Sequence, residues 1–376
     1  MAKLGDIATY INGYAFKPQD WSDEGIPIIR IQDLTGNAYQ ANRYNGEYAS
    51  KYEVNDGDVL ISWSASLGVY VWHGEKAVLN QHIFKVVFDK ERISKDFFVH
   101  QVGLILENAA SDAHGATMKH LTKPVFDALP FYLPPYEKQC EIAEVLDKVT
   151  SLISLRKQQL AKLDELVKAR FVEMFGDPVY NEMHWETKRL IDICRTIVDC
   201  PHSTPHYTTK DTGYKCIRTS AVKKNKILWE KVECISKQEY EERIKRKRPE
   251  KGDVIYTREG AILGIAAVID RDYNVALGQR SMLLSPDIYQ CTPCFLSMAM
   301  NFDSFLGKAL GGVSGSASPH INVGDIKALE IIAPPIEIQN QFAAFVERVN
   351  QQKQTVQQSL EKLELMKKAL MQEYFG

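Results

Sequence analysis

The sequence predicts a fold of two α/β (α+β) globular domains joined by two long helices, and three observations support this class. Residues 115–176 align without a gap with residues 315–376, at a constant offset of 200 positions, which indicates an internal repeat. Short alternating apolar runs bounded by Gly, Asn and Asp precede each of these segments and are typical of strands. Each repeated segment then runs from a Pro-Pro pair to a glycine without another Gly or Pro, as a long helix does.

The repeat also predicts the domain boundaries. The upstream parts match more loosely, for example "NDGDVLISWSASLG" with "EKGDVIYTREGAILG", so each copy has a variable globular block and a well-matched tail. We therefore expect four segments: globular domains at 1–133 and 177–333, and helices at 134–176 and 334–376.

Strand-like runs in the first globular block are "IPIIRIQDL", "GDVLISW" and "HIFKVVF". The stretches from Ser94 to Ala110 and from Thr292 to Leu310 are each helix-like. The order of the strands does not follow from the sequence.

The two tails carry an apolar stripe of the coiled-coil kind. Apolar residues recur at alternating spacings of three and four, from Leu146 to Met174 and again from Phe342 to Tyr374. A helix of about 40 residues is roughly 60 Å long and needs a partner for such a stripe. The other copy has the same length, so we expect a two-helix coil.

Composition indicates a globular protein, with 45% hydrophobic and 25% charged residues. No apolar run approaches the roughly 20 residues of a membrane helix, and the start of the chain lacks a secretion signal, so we expect a cytoplasmic location. The seven cysteines suit reduced thiols. The net charge is −2, but the basic run Arg243–Lys251 would suit phosphate contacts.

No metal site is expected. Cys291 and Cys294 form a single Cys-x-x-Cys pair with no second pair at a suitable spacing, and Cys200, His202 and His206 lack an evident fourth ligand.

The segment Leu133-Pro134-Pro135-Tyr136 is one residue away from the Asp/Asn-Pro-Pro-Tyr motif of amino-methylating DNA enzymes. Leu133 offers no acceptor to a base, and the repeat has Ala333 and Ile336 at the two ends of its own copy. No Gly-rich cofactor loop accompanies the segment. We interpret Pro-Pro-x-Glu as a helix entrance, with the second proline able to occupy the first helical position and Glu137 or Glu337 in the first turn. No catalytic residue is predicted.

Polar and aromatic residues bunch at strand ends and near glycines in both domains, at equivalent positions with different side chains. Arg suits guanine edges, Gln suits adenine, and Glu can accept from cytosine, so these residues are candidate contacts to double-stranded DNA. The candidates are Arg30, Gln32, Trp63, Ser64, Ser66, Gln81, His82, Lys119, His120, Arg218, Thr219, Ser220, Lys223, Arg258, Glu259, Gln279, Arg280, Ser316 and His320.

The chain resembles the DNA-specificity subunits of type I restriction–modification systems. The likeness is carried by "LGDIATYINGYAF", the Gly-Asp-Val segments at Gly57 and Gly252, Asn80-Gln81, Gly115-Ala116-Thr117 and the two Pro-Pro-x-Glu-x-Gln entrances. It spans the whole chain. The second copy departs from it at Gly278, which stands where the first has Asn80, and at Ser316-Ala317, which replaces Ala116-Thr117.

The resemblance implies a non-catalytic subunit in which each domain reads one half of a split DNA target. The helices would pack antiparallel, set the unread spacer and dock two modification subunits, which methylate adenine N6, and two restriction subunits would join them. S-adenosylmethionine, ATP and Mg would then be bound by partner subunits and not by this chain. The helix entrances expected to dock partners contain Pro134, Pro135, Glu137, Gln139, Pro334, Pro335, Glu337 and Gln339. The alternatives are a coiled-coil scaffold that binds protein partners and a stand-alone adenine methyltransferase.

Overall fold

A computed structural model describes residues 1–36, 42–112, 121–260, 262–311 and 320–376. The chain divides into two compact units, residues 1–158 with 357–376, and residues 159–356. Each unit therefore contains one globular domain together with a part of each long helix.

The described residues of the first domain form two four-stranded sheets and one pair of terminal strands. Its strands are β1 (Ala2–Lys3), β2 (Thr9–Asn12), β3 (Ile26–Ile29), β4 (Arg43–Tyr44), β5 (Glu53–Val54), β6 (Val59–Ser62), β7 (Gly68–Val71), β8 (Ala77–Leu79), β9 (Ile83–Val87) and β10 (Pro130–Phe131). The sheets have the orders β2-β9-β6-β7 and β4-β3-β8-β5, and β1 pairs with β10. The helices of this domain are α1 (Leu4–Ile7), α2 (Ile31–Leu34), α3 (Lys95–Asp112) and α4 (Lys123–Asp127).

The long helix α5 (Tyr136–Phe175) leads into the second domain. Its strands are β11 (Thr187–Arg189), β12 (Cys194–Asp199), β13 (Tyr207–Thr208), β14 (Tyr214–Ile217), β15 (Val222–Lys223), β16 (Lys226–Ile227), β17 (Glu233–Ile235), β18 (Val254–Thr257), β19 (Ala266–Val268), β20 (Asn274–Leu277), β21 (Ser281–Pro286) and β22 (Glu330–Ile332). Its helices are α6 (Leu190–Ile193), α7 (Lys237–Arg243), α8 (Pro293–Met300), α9 (Asp303–Leu310) and α10 (Val323–Ala328), followed by the second long helix α11 (Ile336–Phe375).

The first sheets of the two domains have equivalent orders, β2-β9-β6-β7 and β12-β21-β18-β19. The second sheets share three strands, since β17-β14-β20 corresponds to β4-β3-β8, and they differ in the fourth, which is β5 beside β8 in the first domain and β13 beside β17 in the second. In the second sheet of each domain one pair of strands is parallel, β3 with β8 and β14 with β20. The carboxyl ends of two neighbouring strands therefore meet at one edge of that sheet, at the same place in both domains.

The long helices confirm the predicted coiled coil, and they run antiparallel within each unit. In the first unit, Ile142 and Leu146 of α5 share a core with Leu370 and Phe375 from the end of α11. In the second unit the late part of α5 meets the early part of α11, where Phe171 packs on Phe342 and other rings at centroid distances near 5.5 Å. The residues of the predicted stripe are buried or half-buried along both helices. Burial of this stripe stabilises both helices, because most helical stability in proteins comes from the packing of an apolar face.

Two details of the prediction were wrong. The stretch from Thr292 to Leu310 is not one helix, because α8 ends before Asn301. The Asn301 side chain exchanges hydrogen bonds with the backbone of Ala266, at 2.9 and 2.7 Å. Asn301 therefore satisfies the backbone N–H and carbonyl of Ala266 in strand β19, at the point where the chain leaves α8 and turns into α9. In the first domain, only residues 26–29 of "IPIIRIQDL" form a strand, and the Ile31–Leu34 part is a helical turn.

Candidate nucleic-acid interface

Three loops meet at the edge where the two parallel strands end. In the first domain the backbone N–H of Asn80, which follows β8, donates to the carbonyl of Ile29 at 3.1 Å. In the second domain the N–H of Gly278, which follows β20, donates to the carbonyl of Ile217 at 2.9 Å. The candidates after β3 and β14 therefore lie beside those after β8 and β20. Such an edge is where open sheets with parallel strands commonly bind ligands.

The loop after β6 joins this edge through backbone hydrogen bonds that recur in both domains. The N–H of Trp63 donates to the carbonyl of His82 at 3.2 Å, and the N–H of Arg258 donates to the carbonyl of Arg280 at 3.0 Å. The carbonyls of Trp63 and Arg258 in turn accept from Leu121 and Ile321, each at 3.0 Å. Candidates far apart in the sequence are thus brought together by main-chain contacts.

The backbone adopts the left-handed region at matching positions of these loops. In the first domain φ is 59° at Ala65 and 73° at His82; in the second it is 89° at Gly260 and 75° at Arg280. Positive φ in residues other than glycine is uncommon and often marks a functional loop. In the first domain Gly13 also lies so close to the Asn80 carbonyl that any side chain there would collide with it.

The candidates of the first domain are partly engaged with their own domain. The indole N–H of Trp63 donates to Asn12 Oδ1 at 3.1 Å, and its ring stacks on Phe84 at 5.7 Å. The guanidinium of Arg30 lies 5.5 Å from the ring of Trp21 and 3.8 Å from Asp33. Of the other candidates, Ser64 is buried, Gln32, Gln81 and His82 are half-buried, and Ser66 is exposed.

In the second domain Arg258 is 5% exposed and lies inside the loop. Its Nε donates to Asp199 Oδ1 at 3.0 Å, its Nη2 lies 2.7 Å from Glu259 Oε1, and its Nη1 donates to the Ile321 carbonyl at 3.4 Å. Burial on this scale leaves Arg258 no free donor face for a base. Its geometry instead indicates that it supports the loop, which revises the prediction of a direct contact.

The remaining candidates of the second domain lie in the loops around Arg258. The Arg218 guanidinium pairs with Glu233 at 2.8 Å and covers the ring of Tyr207 at 4.9 Å, while Gln279 Nε2 donates to Thr204 at 3.3 Å. Glu259 and Thr219 are half-buried, and the exposed members are Ser220, Lys223, Arg280 and His320. The candidates Lys119, His120 and Ser316 lie outside the described residues.

The sequence-based reading missed Asn12 and Asp199. Each is the last residue of its strand, β2 or β12, and each accepts from the first residue after β6 or β18. A bulge in β12 between Cys194 and Thr196 shifts the register by one residue, which hid the equivalence in the alignment of the two copies. The strand-end position of the two acceptors was the available signal.

The basic run Arg243–Lys251 is largely used within the domain. Arg243 is 5% exposed, and its guanidinium binds Glu239 at 2.6 Å and the carbonyls of Ser203 and Leu277 at 2.7 and 3.3 Å. Arg246 donates to the Asp199 carbonyl at 3.2 Å. Arg243 therefore connects α7 with the backbone at Ser203 and at Leu277. The run is a weaker phosphate site than its sequence indicates, because most of its charges already have partners within the domain.

The helix entrances also differ from the prediction. Tyr136 is the first helical residue of α5, and Pro135 precedes it as the cap whose carbonyl accepts from Gln139 N–H at 3.1 Å. Gln139 is 1% exposed; its Nε2 donates to the Pro134 carbonyl at 2.9 Å and its Oε1 accepts from Ser94 N–H at 2.9 Å.

Gln339 repeats this arrangement in the second domain. It is fully buried and bonds the Pro334 carbonyl at 2.8 Å and Thr292 N–H at 2.9 Å. Burial thus corrects the prediction that Pro134, Gln139, Pro334 and Gln339 contact a partner, and leaves Pro135, Glu137, Pro335 and Glu337 exposed.

The resemblance to a methyltransferase motif has a structural origin. Leu133 packs against the core of the first domain, and the ring of Tyr136 lies 4.0 Å beneath the Arg92 guanidinium. Neither residue lies at the edge where the three loops meet.

Among the described residues, no group of three or more His, Cys, Asp or Glu side chains could hold a metal ion. Burial raises the pKa of the Cys194 and Cys216 thiols to about 12, so that both stay protonated at neutral pH. Within the same part of the chain, no helix is long and apolar enough to cross a membrane.

Known proteins match the chain along most of its length. The family model of the type I restriction modification DNA specificity domain matches residues 1–165 and 182–365. The EcoBI specificity subunit of Escherichia coli is 25% identical over 374 residues, which cover 92% of this chain and 78% of that protein. The MjaVIII specificity subunit of Methanocaldococcus jannaschii is 23% identical over 393 residues, covering 99% of this chain and 90% of that protein.

Solved structures show the same fold. The S subunit of a type I restriction–modification system from M. genitalium superimposes with a TM-score of 0.59 at 12% identity, covering 100% of this chain and 95% of that one. A chain from a structural study of complex assembly in the type I R-M system gives a TM-score of 0.56 at 16% identity, covering 100% and 96%. With both domains matched by the family model, this chain belongs to the DNA-specificity subunits of type I restriction–modification systems, which recognise DNA and are not themselves enzymes.

Proposed function

We propose that each globular domain reads one half of a bipartite DNA target through the edge where its three loops meet. The observation that carries this proposal is the repetition of one backbone arrangement with different side chains. The same main-chain hydrogen bonds hold Trp63 against His82 and Arg258 against Arg280. Two surfaces with the same backbone hydrogen bonds and different side chains suit two half-sites of different sequence.

The long helices set the distance between the two half-sites in this proposal. The antiparallel packing within each unit gives both helices a fixed register, which is what a spacer of constant length requires. Dimer geometry fixes half-site spacing in other DNA-binding proteins for the same reason.

The assembly consists of this chain with two modification subunits and two restriction subunits. The exposed residues of the helix entrances, Pro135, Glu137, Pro335 and Glu337, contribute to docking. The partners bind S-adenosylmethionine, ATP and Mg, and they supply part of the phosphate binding, since this chain has a net charge of only −2. The complex works in the cytoplasm, where its DNA is.

Exchange of the second domain tests the proposal. Residues 177–333 are replaced by the corresponding domain of another specificity subunit, and the chain is coexpressed with its modification subunit. Sequencing of genomic adenine methylation is expected to show one half of the motif changed and the other half and the spacer retained. A motif unchanged in both halves contradicts the proposal.

A second arm addresses the helices and the scaffold alternative. Insertion of seven residues between Leu160 and Leu163, matched in α11, adds about 10 Å of helix and is expected to lengthen the spacer by about three base pairs. An unchanged spacer excludes the helices as its determinant. DNA binding that is absent even with the partners present would instead favour a protein scaffold.

A further inference from the structure

Arg280 occupies a strained position that recurs in both domains. It follows Gly278-Gln279 and immediately precedes β21, with φ at 75°, while His82 immediately precedes β9 with φ at 73°. A bulky side chain at positive φ persists only where the surrounding structure imposes it, and such residues cluster at ligand sites. Two equivalent outliers in two copies of a domain therefore indicate a site and not a local irregularity.

The backbone on both sides of Arg280 is fixed without help from its side chain. Its carbonyl accepts from Arg258 N–H at 3.0 Å. The next residue, Ser281, accepts from Cys200 N–H at 3.2 Å, and its hydroxyl donates to the Gly278 carbonyl at 3.4 Å. The conformation is thus held by main-chain and neighbouring groups, so the side chain is available for another purpose.

The guanidinium of Arg280 differs in this respect from others at the same edge. Arg218 pairs with Glu233, and Arg258 pairs with Asp199. The Arg280 side chain is exposed, and its guanidinium has no hydrogen bond or ion pair with any residue in the described ranges. It is a preformed cation at the edge where the loops meet.

The residue opposite Arg280 varies with it between the two domains. Arg280 lies over Gly260, where an added Cβ would be 3.4 Å from Nη1 and 3.7 Å from Cδ. The first domain has Ala65 and the shorter His82 at these two positions, again with positive φ at both. The large side chain accompanies glycine, and the smaller one accompanies alanine. An added Cβ would make only ordinary van der Waals contact with the arginine, so the left-handed φ of 89° favours glycine at this position and a lack of space does not.

We propose that Arg280 reads a guanine in the half-site of the second domain, which deepens the function proposed above and rests on it. The planar fork of an arginine donates to O6 and N7 of guanine in the major groove. A phosphate could accept from the same group, but phosphate contacts carry no sequence information and would suit a cation in both domains. The replacement of Arg280 by His82 in the other copy favours a base contact.

Replacement of Arg280 by glycine tests this inference in the complex. Glycine adopts positive φ without strain, so the loop keeps its conformation. The Arg280→Gly chain and the wild-type chain are each coexpressed separately with the modification subunit, and adenine methylation is sequenced genome-wide. We expect one guanine of the second half-site to lose about 5- to 150-fold of its preference, the range of a bidentate contact, with the first half-site unchanged. Arg280→Lys retains the charge without the fork and is expected to relax the same position.

Arg271→Gln is the matched control. Arg271 precedes β20, at the opposite end of that strand from Arg280, and its guanidinium lies 5.5 Å from the ring of Trp229. Its replacement is expected to leave the motif unchanged. If the complex with Arg280→Gly methylates every site more weakly and no position of the motif is relaxed, Arg280 contacts a phosphate and the inference is overturned. An unchanged motif would also overturn the inference. A wild-type motif that is not bipartite would refute the proposed function instead.

Discussion

The first residue after β6 is Trp63 in one domain, and the first residue after β18 is Arg258 in the other. The indole N–H of Trp63 donates to the neutral Asn12 at 3.1 Å, whereas Arg258 Nε donates to the charged Asp199 at 3.0 Å. Both residues nevertheless present the same backbone, with an N–H that donates to the carbonyl of His82 or Arg280. One domain stabilises the loop with a stacked aromatic ring, and the other stabilises it with a buried ion pair.

The comparison separates what the two domains share from what distinguishes them. The shared part is made of main-chain hydrogen bonds and of the buried amides of Gln139 and Gln339. The distinct part consists of side chains supported on that frame. A frame held by its backbone can accept new side chains without refolding, which is what a protein that reads variable sequences requires.

The largest expected effect is the loss of Asp199. Asp199→Ala leaves the buried Arg258 with only Glu259 as an acidic partner, which costs about 3 kcal/mol. This corresponds to a fall of about 6 to 12 °C in the melting temperature of the unit that contains residues 159–356. Differential scanning calorimetry measures it.

The matched changes for that experiment are Asn12→Ala and Asp199→Asn. Asn12→Ala removes one neutral hydrogen bond and is expected to cost about 1 kcal/mol in the first unit. Asp199→Asn retains an acceptor and is expected to cost less than Asp199→Ala. Equal losses for Asp199→Ala and Asn12→Ala would show that the two loops are supported by the same kind of interaction.

An intermediate effect is expected for the loss of the buried amides of Gln139 and Gln339. Gln139→Ala leaves the half-buried backbone N–H of Ser94 without its acceptor, and Gln339→Ala does the same to the buried N–H of Thr292, at a cost of about 1 to 3 kcal/mol each. Urea unfolding of each variant measures the cost. The exposed Glu137 and Glu337 provide the control, since their replacement by glutamine is expected to change stability by less than about 0.5 kcal/mol. A loss confined to one domain would contradict the equivalence of the two entrances.

The smallest effect is expected for the exchange of the glycine and the alanine at the loop tips. Gly260→Ala places a Cβ on a residue whose φ is 89°, and this left-handed backbone destabilises the loop by about 1 to 2 kcal/mol. Ala65→Gly relieves a left-handed alanine and loses chain entropy, so the net change is within about 1 kcal/mol. Calorimetry measures both variants, and a larger loss of stability for Ala65→Gly than for Gly260→Ala would contradict the expected order.

Much of the fold could be predicted from the repeat. Both long helices, their punctuation by proline and glycine and their apolar stripes depend on local spacing, which a sequence displays. The meeting of the loops could not be predicted, because β3 and β8 pair in parallel across an intervening stretch of chain that includes other strands. The break before α9 depends on a hydrogen bond from Asn301 to a distant strand, and local propensity does not report such contacts.

The grouping of the candidate residues was easier to predict than the environment of each one, and their contact with DNA stays a prediction. Their grouping at one edge follows from the strand ends, but the role of each depends on partners that are remote in sequence. Arg258 was a plausible base contact until Asp199, at the end of another strand, placed it in the interior. The family resemblance placed Gln139 and Gln339 at partner-docking entrances, and the structure shows that each makes the same internal hydrogen bond to a proline carbonyl.

The left-handed backbone at His82 and Arg280 has a consequence for how such domains can evolve. β-branched residues and proline are poorly compatible with this conformation, while glycine, asparagine, aspartate and histidine tolerate it better than most. The range of readers available at this position is therefore limited by backbone geometry before any base is considered. New target sequences would arise more readily through Gln81 and Gln279, whose φ values are not in the left-handed region. These two positions should therefore diversify faster than the adjacent positions of His82 and Arg280.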